Sequence, residues 1–135
     1  MLKTYKGACH CGSVRFEVDL DLSRGTGKCN CSYCARNRLW IANVRPQDFR
    51  LLSGEGDLAD YRGKNPVAHH QFCRTCGVHP FEWVDTPNLS GQKYYSINVL
   101  CLDGVDLSEI LAAPVAYYDG LNDKWEQTPA EIRHL

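Results

Sequence analysis

Cys29-Asn30-Cys31-Ser32-Tyr33-Cys34 places three thiols within one short stretch of the chain. Two cysteine pairs flank it, in Cys9-His10-Cys11-Gly12 before it and in Cys73-Arg74-Thr75-Cys76-Gly77 after it. Of the 8 cysteines, only Cys101 stands outside these clusters. Short Cys-x-Cys and Cys-x-x-Cys spacings are typical of zinc sites, because each delivers two soft ligands to one ion. The clusters therefore predict metal binding.

The spacing within each cluster indicates how the thiols share a metal. Residues two apart on an extended strand point to the same side. Cys9 and Cys11 are therefore expected to share an ion, and so are Cys29 and Cys31. A glycine after a Cys-x-x-Cys turn accepts a positive φ, which lets backbone N–H groups turn towards the sulfur. Gly77 has that position in this chain.

The simplest pairing of the clusters gives one closed site and one open site. A closed structural zinc has four protein ligands, whereas three ligands leave a position for water or substrate. The predicted closed site consists of Cys9, Cys11, Cys73 and Cys76. The predicted open site consists of Cys29, Cys31 and Cys34. Other pairings of the two-cysteine clips remain open at this point.

Three other interpretations of the cysteines also remain. An even number of cysteines is compatible with a secreted disulfide scaffold. A single four-thiol zinc would leave the other cysteines as core residues. Two metals would both be structural if Cys101 or a histidine closed the second site.

Length and composition limit the class of protein. A chain of 135 residues is long enough for one domain, expected to span residues 1–135, with a buried core. The net charge of −1 gives no field that attracts nucleic acid or an anionic membrane. No apolar run reaches the length of a membrane span, and the first residues lack the apolar core of a signal peptide. Many thiols without a targeting signal predict a cytoplasmic protein.

Hydrophobic alternation predicts a mainly β fold made of small antiparallel sheets. The clearest case is Ser13 to Val18, in which Val14, Phe16 and Val18 share one face. Further strands are predicted at 4–8, 39–44, 50–53, 58–62, 67–72, 80–84, 94–100 and 115–118. Residues 24–27, with two glycines, predict a turn, and residues 86–93 a loop. Ser32 is predicted to cap a helical turn that runs to Arg36, and residues 46–49 and 107–111 are expected to form others.

Four segments resemble motifs of one family. Residues 7–16 resemble the opening motif of the glutathione-dependent formaldehyde-activating family, which also includes centromere protein V. Residues 29–34 and 72–77 resemble its second and third motifs, and residues 98–103 its later Asn…Leu-Asp element. The resemblance covers residues 4 to 119, and three cysteine clusters in this order make it specific.

The resemblance implies a β-tent fold and a carbon–sulfur lyase similar to S-hydroxymethylglutathione synthase. That activity joins formaldehyde to glutathione or splits the adduct. It also implies two zinc ions of different character. The structural zinc is implied on Cys9, Cys11, Cys73 and Cys76, and a second, more labile zinc on Cys29, Cys31 and Cys34.

The three-thiol cluster is the predicted catalytic centre. Zinc lowers the pKa of a bound thiol and keeps it as the nucleophilic thiolate, which would attack an aldehyde carbon. The expected partner is therefore a small thiol such as glutathione. Its two carboxylates would need nearby cations. The candidate cations are Arg36, Arg38, Arg62, Lys64 and Arg74.

Several other side chains have two interpretations. His79 is either an acid–base group or outer-shell partner, or a packed histidine. Cys101 is expected to be a buried small hydrophobe. His69 and His70 should point to opposite sides of their strand, and neither is assigned a role.

A second functional class is a non-catalytic zinc module that binds a small ligand or a protein partner. Kinship with centromere protein V supports it, although the sequence has no basic extension for polyanions. The three-thiol cluster favours the enzyme, because a binding module needs no open metal position.

Overall fold

The computed structural model describes residues 1–85 and 92–135 of the chain. Ten strands and two short α-helices lie in this part, so the predicted mainly β fold is confirmed. The strands are β1 (Lys3–Ala8), β2 (Arg15–Leu20), β3 (Thr26–Cys29), β4 (Ile41–Val44), β5 (Phe49–Ser53), β6 (Leu58–Tyr61), β7 (Ala68–Cys73), β8 (Phe81–Val84), β9 (Tyr94–Asn98) and β10 (Val115–Tyr118). The helices are α1 (Ser32–Asn37) and α2 (Leu107–Ala112). Of the predicted loop at 86–93, residues 86–91 lie outside the described part.

The described strands form a three-stranded sheet, β1-β2-β5, and a seven-stranded sheet, β10-β3-β4-β9-β8-β7-β6. Neighbouring strands are antiparallel, as predicted, with the exception of β10, which pairs with β3 in parallel. Local alternation does not predict this pair, because parallel partners are joined by a long connection rather than a hairpin.

The core lies between the two sheets. Val14, Phe16 and Val18 have no exposed surface, which confirms the alternation predicted around β2. The ring of Phe16 stacks on Phe49 at 5.8 Å and meets the edge of Phe81, on the seven-stranded sheet, at 5.6 Å. Burying a side chain of this size contributes about 1.5–3 kcal/mol. The aromatic cluster therefore holds the two sheets face to face.

The seven-stranded sheet has a core face and a cleft face. Ala42, Phe81 and Ile97 are buried against the three-stranded sheet. Successive side chains on a strand point to opposite faces. Glu82 and Ser96, which are paired across β8 and β9, lie on the other face and line an open cleft. The sheet thus supplies the floor of a cleft as well as one wall of the core.

The turn predicted at residues 24–27 is only half correct. Gly25 has a φ of 121° and lets the chain turn, but strand β3 begins at Thr26. A Cβ on Gly27 would lie 2.5 Å from the ring of Tyr118 on β10. The second glycine is therefore needed for close packing between strands rather than for a turn.

Helix α1 begins one residue earlier than predicted. Its N-cap is Cys31, whose sulfur accepts a hydrogen bond from the backbone N–H of Cys34. A thiolate or thiol sulfur here replaces the usual oxygen of a capping serine, so Ser32 does not cap. Both α-helices have six residues, and in the described ranges no helix is long and apolar enough to cross a membrane.

Candidate functional site

Cys9, Cys11, Cys73 and Cys76 come together where the two sheets meet. Cys9 and Cys11 lie between β1 and β2 of the three-stranded sheet, and Cys73 ends β7 of the seven-stranded sheet. The four sulfurs lie within 4.8 Å of one another. A metal bound here would therefore link the two sheets.

The sulfur geometry fits a tetrahedral zinc. The sulfur of Cys11 is 3.7 Å from those of Cys9 and Cys73. A tetrahedron with zinc–sulfur bonds of about 2.3 Å has edges of about 3.8 Å. Four thiols are also a donor set that zinc prefers. This cluster can therefore hold a metal ion, consistent with zinc.

Backbone N–H groups point at these sulfurs. The N–H of Val14 donates to the sulfur of Cys9 at 3.3 Å. Hydrogen bonds from the backbone N–H of Cys11, and then of Val78, lower the pKa of Cys76 to about 6. Such donors stabilise thiolates, the form in which cysteine binds metals.

Gly77 has the predicted positive φ and Gly12 shares it, but the prediction that Cys9 and Cys11 lie on an extended strand was wrong. Gly12 has a φ of 81° and Gly77 a φ of 76°. Cys9 and Cys11 lie in a turn closed by a hydrogen bond from the Gly12 N–H to the Cys9 carbonyl, at 3.2 Å. The turn, rather than strand alternation, brings the two sulfurs together.

Cys29, Cys31 and Cys34 form a second group of sulfurs within 4.8 Å of one another. Cys29 ends β3, and Cys31 caps α1 with an extended backbone, φ −57° and ψ 157°. The backbone N–H of Cys31 donates to the sulfur of Cys29 at 3.3 Å. Hydrogen bonding from the Cys29 thiol, and then from Cys34, lowers the pKa of Cys31. This cluster can also hold a metal ion.

Residues 119–121 pack against the segment that carries the three thiols. The buried Asn30 donates to Asp119 at 2.8 Å, and its side-chain oxygen accepts from the Leu121 N–H at 3.0 Å. A Cβ on Gly120 would lie 2.6 Å from the sulfur of Cys29. Asn30 lies within the cysteine motif, but no sequence pattern indicated its partners.

The three thiols line a broad open cleft of about 2140 Å³ on the exposed face of the seven-stranded sheet. None of the four-thiol cluster lines it. Binding sites for small molecules usually have about 300–1,000 Å³, so the cleft has room for a peptide-sized ligand. Its walls near the thiols include Tyr33, His70, Glu82, Tyr94 and Trp125.

Only two of the five candidate cations line this cleft. Arg36 and Lys64 lie in its walls, whereas Arg38, Arg62 and Arg74 do not. Sequence proximity to the cysteines was therefore a poor guide to which side of the sheet a cation occupies. Lys93, which the sequence analysis missed, also lines the cleft and packs its ammonium over the Trp83 ring at 4.1 Å.

Tyr33 organises the histidines beside the three-thiol cluster. Its hydroxyl forms a 2.9 Å hydrogen bond with Nδ1 of His79, and its ring stacks on His70 at 3.7 Å. His70 in turn lies 2.5 Å from Glu82. His79 is absent from the cleft wall, and burial lowers its pKa. It is therefore a half-buried hydrogen-bond partner of Tyr33 and not part of the cleft wall.

His70 and Glu82 were overlooked although the sequence carried a signal for both. Alternation placed Glu82 opposite Phe81 and Trp83, and it separated His70 from the buried His69. What alternation could not show is that both side chains line the same cleft as the three thiols.

Cys101 lies outside both thiol clusters, and the described part of the chain contains no disulfide. All eight cysteines are free. Cys101 packs against the core, where burial raises its pKa to about 12, and it belongs to neither thiol group. Its sulfur donates a long hydrogen bond to the carbonyl of His79, at 3.8 Å. It does not close the second site.

Comparison with known proteins agrees with this architecture. Residues 4–118 match the sequence model of a family described as glutathione-dependent formaldehyde-activating enzyme. The crystal structure of a Rhodobacter sphaeroides protein, a structural genomics target, is similar with a TM-score of 0.68. The two sequences are 34% identical, and the match covers 82% of this chain and 99% of that one.

Proposed function

The chain belongs to the glutathione-dependent formaldehyde-activating enzyme family, and we propose that it is a zinc-dependent carbon–sulfur lyase. It would act on an adduct of glutathione or of another small thiol, joining or splitting the carbon–sulfur bond of a compound such as S-hydroxymethylglutathione. Family membership supports a glutathione-related substrate, and the two thiol groups support a metal.

One observation carries the proposal: three clustered thiols line an open cleft while four clustered thiols do not. A fourth ligand position that faces a cleft is accessible to a substrate thiol. A binding module would gain nothing from such an incomplete ligand set. The geometry therefore favours chemistry at Cys29, Cys31 and Cys34.

The proposal assigns different roles to the two clusters. Cys9, Cys11, Cys73 and Cys76 would hold a closed structural zinc, and the three cleft thiols a second zinc with an open position. When bound there, zinc would lower the pKa of a substrate thiol and hold it as thiolate. A reducing compartment such as the cytoplasm would keep all these thiols available for metal.

Residues of the cleft would position the rest of the substrate. Arg36 and Lys64 line the same cleft as the thiols, and they would receive the carboxylates of a glutathione-like peptide. Neither has a carboxylate partner among its described contacts, whereas Arg62, which lies outside the cleft, pairs with Asp60 at 3.3 Å.

The first experiment is zinc stoichiometry by native mass spectrometry, with and without glutathione. Two zinc ions per chain, one of them carrying glutathione, are expected. Zinc-loaded protein should then accelerate the exchange between formaldehyde, glutathione and their adduct above the uncatalysed rate. One zinc that is insensitive to glutathione, together with no acceleration, would refute the lyase and favour the non-catalytic zinc module.

A further inference from the structure

A histidine–carboxylate pair lies in the same cleft as the three thiols. His70 on β7 and Glu82 on β8 are adjacent, because His69 pairs with Trp83 one position away. Nδ1 of His70 lies 2.5 Å from Oε2 of Glu82, and the two side chains are 12% and 13% exposed. Both residues line the cleft. The pair is thus nearly buried yet in contact with the cavity where a substrate would lie.

The contact with Glu82 determines which nitrogen of His70 can exchange a proton. A carboxylate only accepts hydrogen bonds, so Nδ1 carries the hydrogen in this contact. Nε2 is then the ring nitrogen left to exchange a proton. A carboxylate in this position fixes both the tautomer and the orientation of the ring.

The ring of His70 is also fixed relative to the thiols. Tyr33 stacks on it at 3.7 Å with an interplanar angle of 22°. Tyr33 belongs to α1, the helix that carries Cys34 and is capped by Cys31. The imidazole is therefore held against the same helix that presents two of the three thiols.

From this geometry we infer that His70 is a catalytic residue that moves a proton in the cleft, and that Glu82 is its positioning residue. The inference rests on the proposed lyase function and adds to it the group that carries the proton. A general acid–base group placed in this way accelerates a reaction by about 10²–10⁴-fold.

The proton balance of the reaction needs such a group. In the forward direction the thiol sulfur loses a proton and forms a bond to the formaldehyde carbon. The π electron pair of the carbonyl moves to oxygen, which gains a proton and becomes the hydroxyl of the adduct. His70 Nε2 would accept the proton from sulfur and return it to oxygen, so no oxidant, reductant or co-reactant is required. The reverse reaction uses the same two transfers in the opposite order.

The chain contains a closely matched pair outside the cleft. Nδ1 of His69 lies 2.8 Å from Oδ2 of Asp60, and the ring stacks on Trp83 at 3.4 Å. Neither His69 nor Asp60 lines the cleft. This pair has the same chemistry without access to the substrate, and it is therefore an internal control.

The experiment compares zinc-loaded wild type with His70→Asn, Glu82→Gln, His69→Asn and Asp60→Asn. The exchange between formaldehyde, glutathione and their adduct is followed from pH 5 to 9, with zinc content and thermal melting measured for each. His70→Asn should lower kcat about 100-fold with little change in KM, because the proton-transferring group is lost while the binding surface is kept. Wild-type zinc content and melting would separate this effect from misfolding.

Glu82→Gln tests the positioning role. Loss of the carboxylate should lower kcat with little change in KM, because the His70 ring would no longer be fixed in one tautomer and one orientation. The other ionisable groups around the ring, Tyr33, Tyr61 and His79, are unchanged in this variant. Substitutions in the control pair should leave kcat and KM within twofold of the wild type, and Asp60→Asn provides this control if His69→Asn fails to fold.

The outcomes distinguish this inference from the proposed function. A wild type without turnover would overturn the lyase and the inference together. An active wild type with an equally active His70→Asn, or equal losses in His70→Asn and the control pair, would overturn the inference alone. A Glu82→Gln variant with the kcat of the wild type would overturn the role of Glu82.

Discussion

The two cysteine clusters use the same ligand chemistry in opposite surroundings. The four-thiol cluster joins segments 62 residues apart and lies between the two sheets. The three-thiol cluster comes from the end of β3 and the start of α1, and it opens into the cleft. The first can stabilise long-range structure, whereas the second costs little chain entropy to assemble and leaves room for a ligand.

The roles of metal-binding cysteines therefore follow from where their segments lie in the fold, and not from the spacing alone. A Cys-x-Cys clip occurs in both clusters. The clip of Cys9 and Cys11 gains two more ligands from a distant Cys-x-x-Cys turn, whereas the clip of Cys29 and Cys31 gains only the nearby Cys34. On this basis, loss of a ligand should have global consequences in one cluster and local consequences in the other.

The largest expected effect is the loss of the folded state in Cys73→Ser. Cys73 has no exposed surface and ends a strand of the seven-stranded sheet. Structural zinc in small domains is bound with an apparent free energy of about 10–16 kcal/mol, comparable with the whole stability of a domain. The variant should therefore be unfolded or melt far below the wild type in circular dichroism.

The matched control is Cys101→Ser, which removes a half-buried thiol that belongs to neither cluster. It should retain both metals and melt close to the wild type. If Cys73→Ser and Cys101→Ser melted at the same temperature, the four-thiol cluster would not be a structural metal site.

The second prediction concerns the other cluster. Cys31→Ser should remain folded but lose the metal at the cleft, because its neighbours hold α1 and β3 in place without a metal. Loss of an outer-shell partner costs about 10–100-fold in activity, so loss of a ligand should lower turnover by more than about 100-fold. Zinc content by mass spectrometry, melting and turnover check this together. A melting temperature as low as that of Cys73→Ser would remove the distinction between the clusters.

The cysteine clips were predictable from sequence because ligand spacing within a clip is a local property, whereas the pairing of the first clip with the distant Cys-x-x-Cys turn was only the simplest of several open pairings. Cys9, Cys11, Cys73 and Cys76 come together as proposed from spacing, although Cys9 and Cys11 do so in a turn rather than on a strand. The alternation around Phe16 similarly located the core. Such patterns need only the neighbouring residues.

The rest of the site depends on long-range pairing, which spacing does not encode. The parallel pairing of β10 with β3 brings Asp119 to Asn30 and Gly120 to Cys29. The register of β7 with β8 brings His70 to Glu82. Nothing near these residues in sequence indicates their partners. The residues of the cleft wall therefore could not be predicted from sequence, whereas the three thiols could.

The third prediction compares an alanine substitution at one glycine next to each cluster, Gly120 at the three thiols and Gly77 at the four thiols. A Cβ on Gly120 would lie 2.6 Å from the Cys29 sulfur and 2.7 Å from the Trp125 ring. Gly120→Ala should therefore cost about 1–3 kcal/mol of stability by overpacking and weaken metal binding at the cleft. Gly77→Ala meets no atom within 4 Å, but φ is 76°, so strain of about 1–2 kcal/mol is expected.

Chemical denaturation and the zinc content of the two glycine variants separate these causes. Gly120→Ala should lose zinc from the cleft first during titration with a chelator. Gly77→Ala should leave the cleft metal unchanged and weaken the four-thiol cluster. If both variants released the same metal first, the clusters would not be independent.

The smallest change is expected in KM, when a cation that lines the cleft is replaced. Lys64→Ala and Arg36→Ala should each raise KM for glutathione roughly two- to fivefold, because an exposed ion pair contributes little in water. The effect should shrink at high salt, where such charges are screened. Arg62→Ala is the control, since Arg62 is paired with Asp60 and lies outside the cleft. Steady-state kinetics at two salt concentrations would compare KM in the two cleft variants with KM in Arg62→Ala. An equal increase of KM in all three variants would mean that Arg36 and Lys64 do not bind the substrate in the cleft.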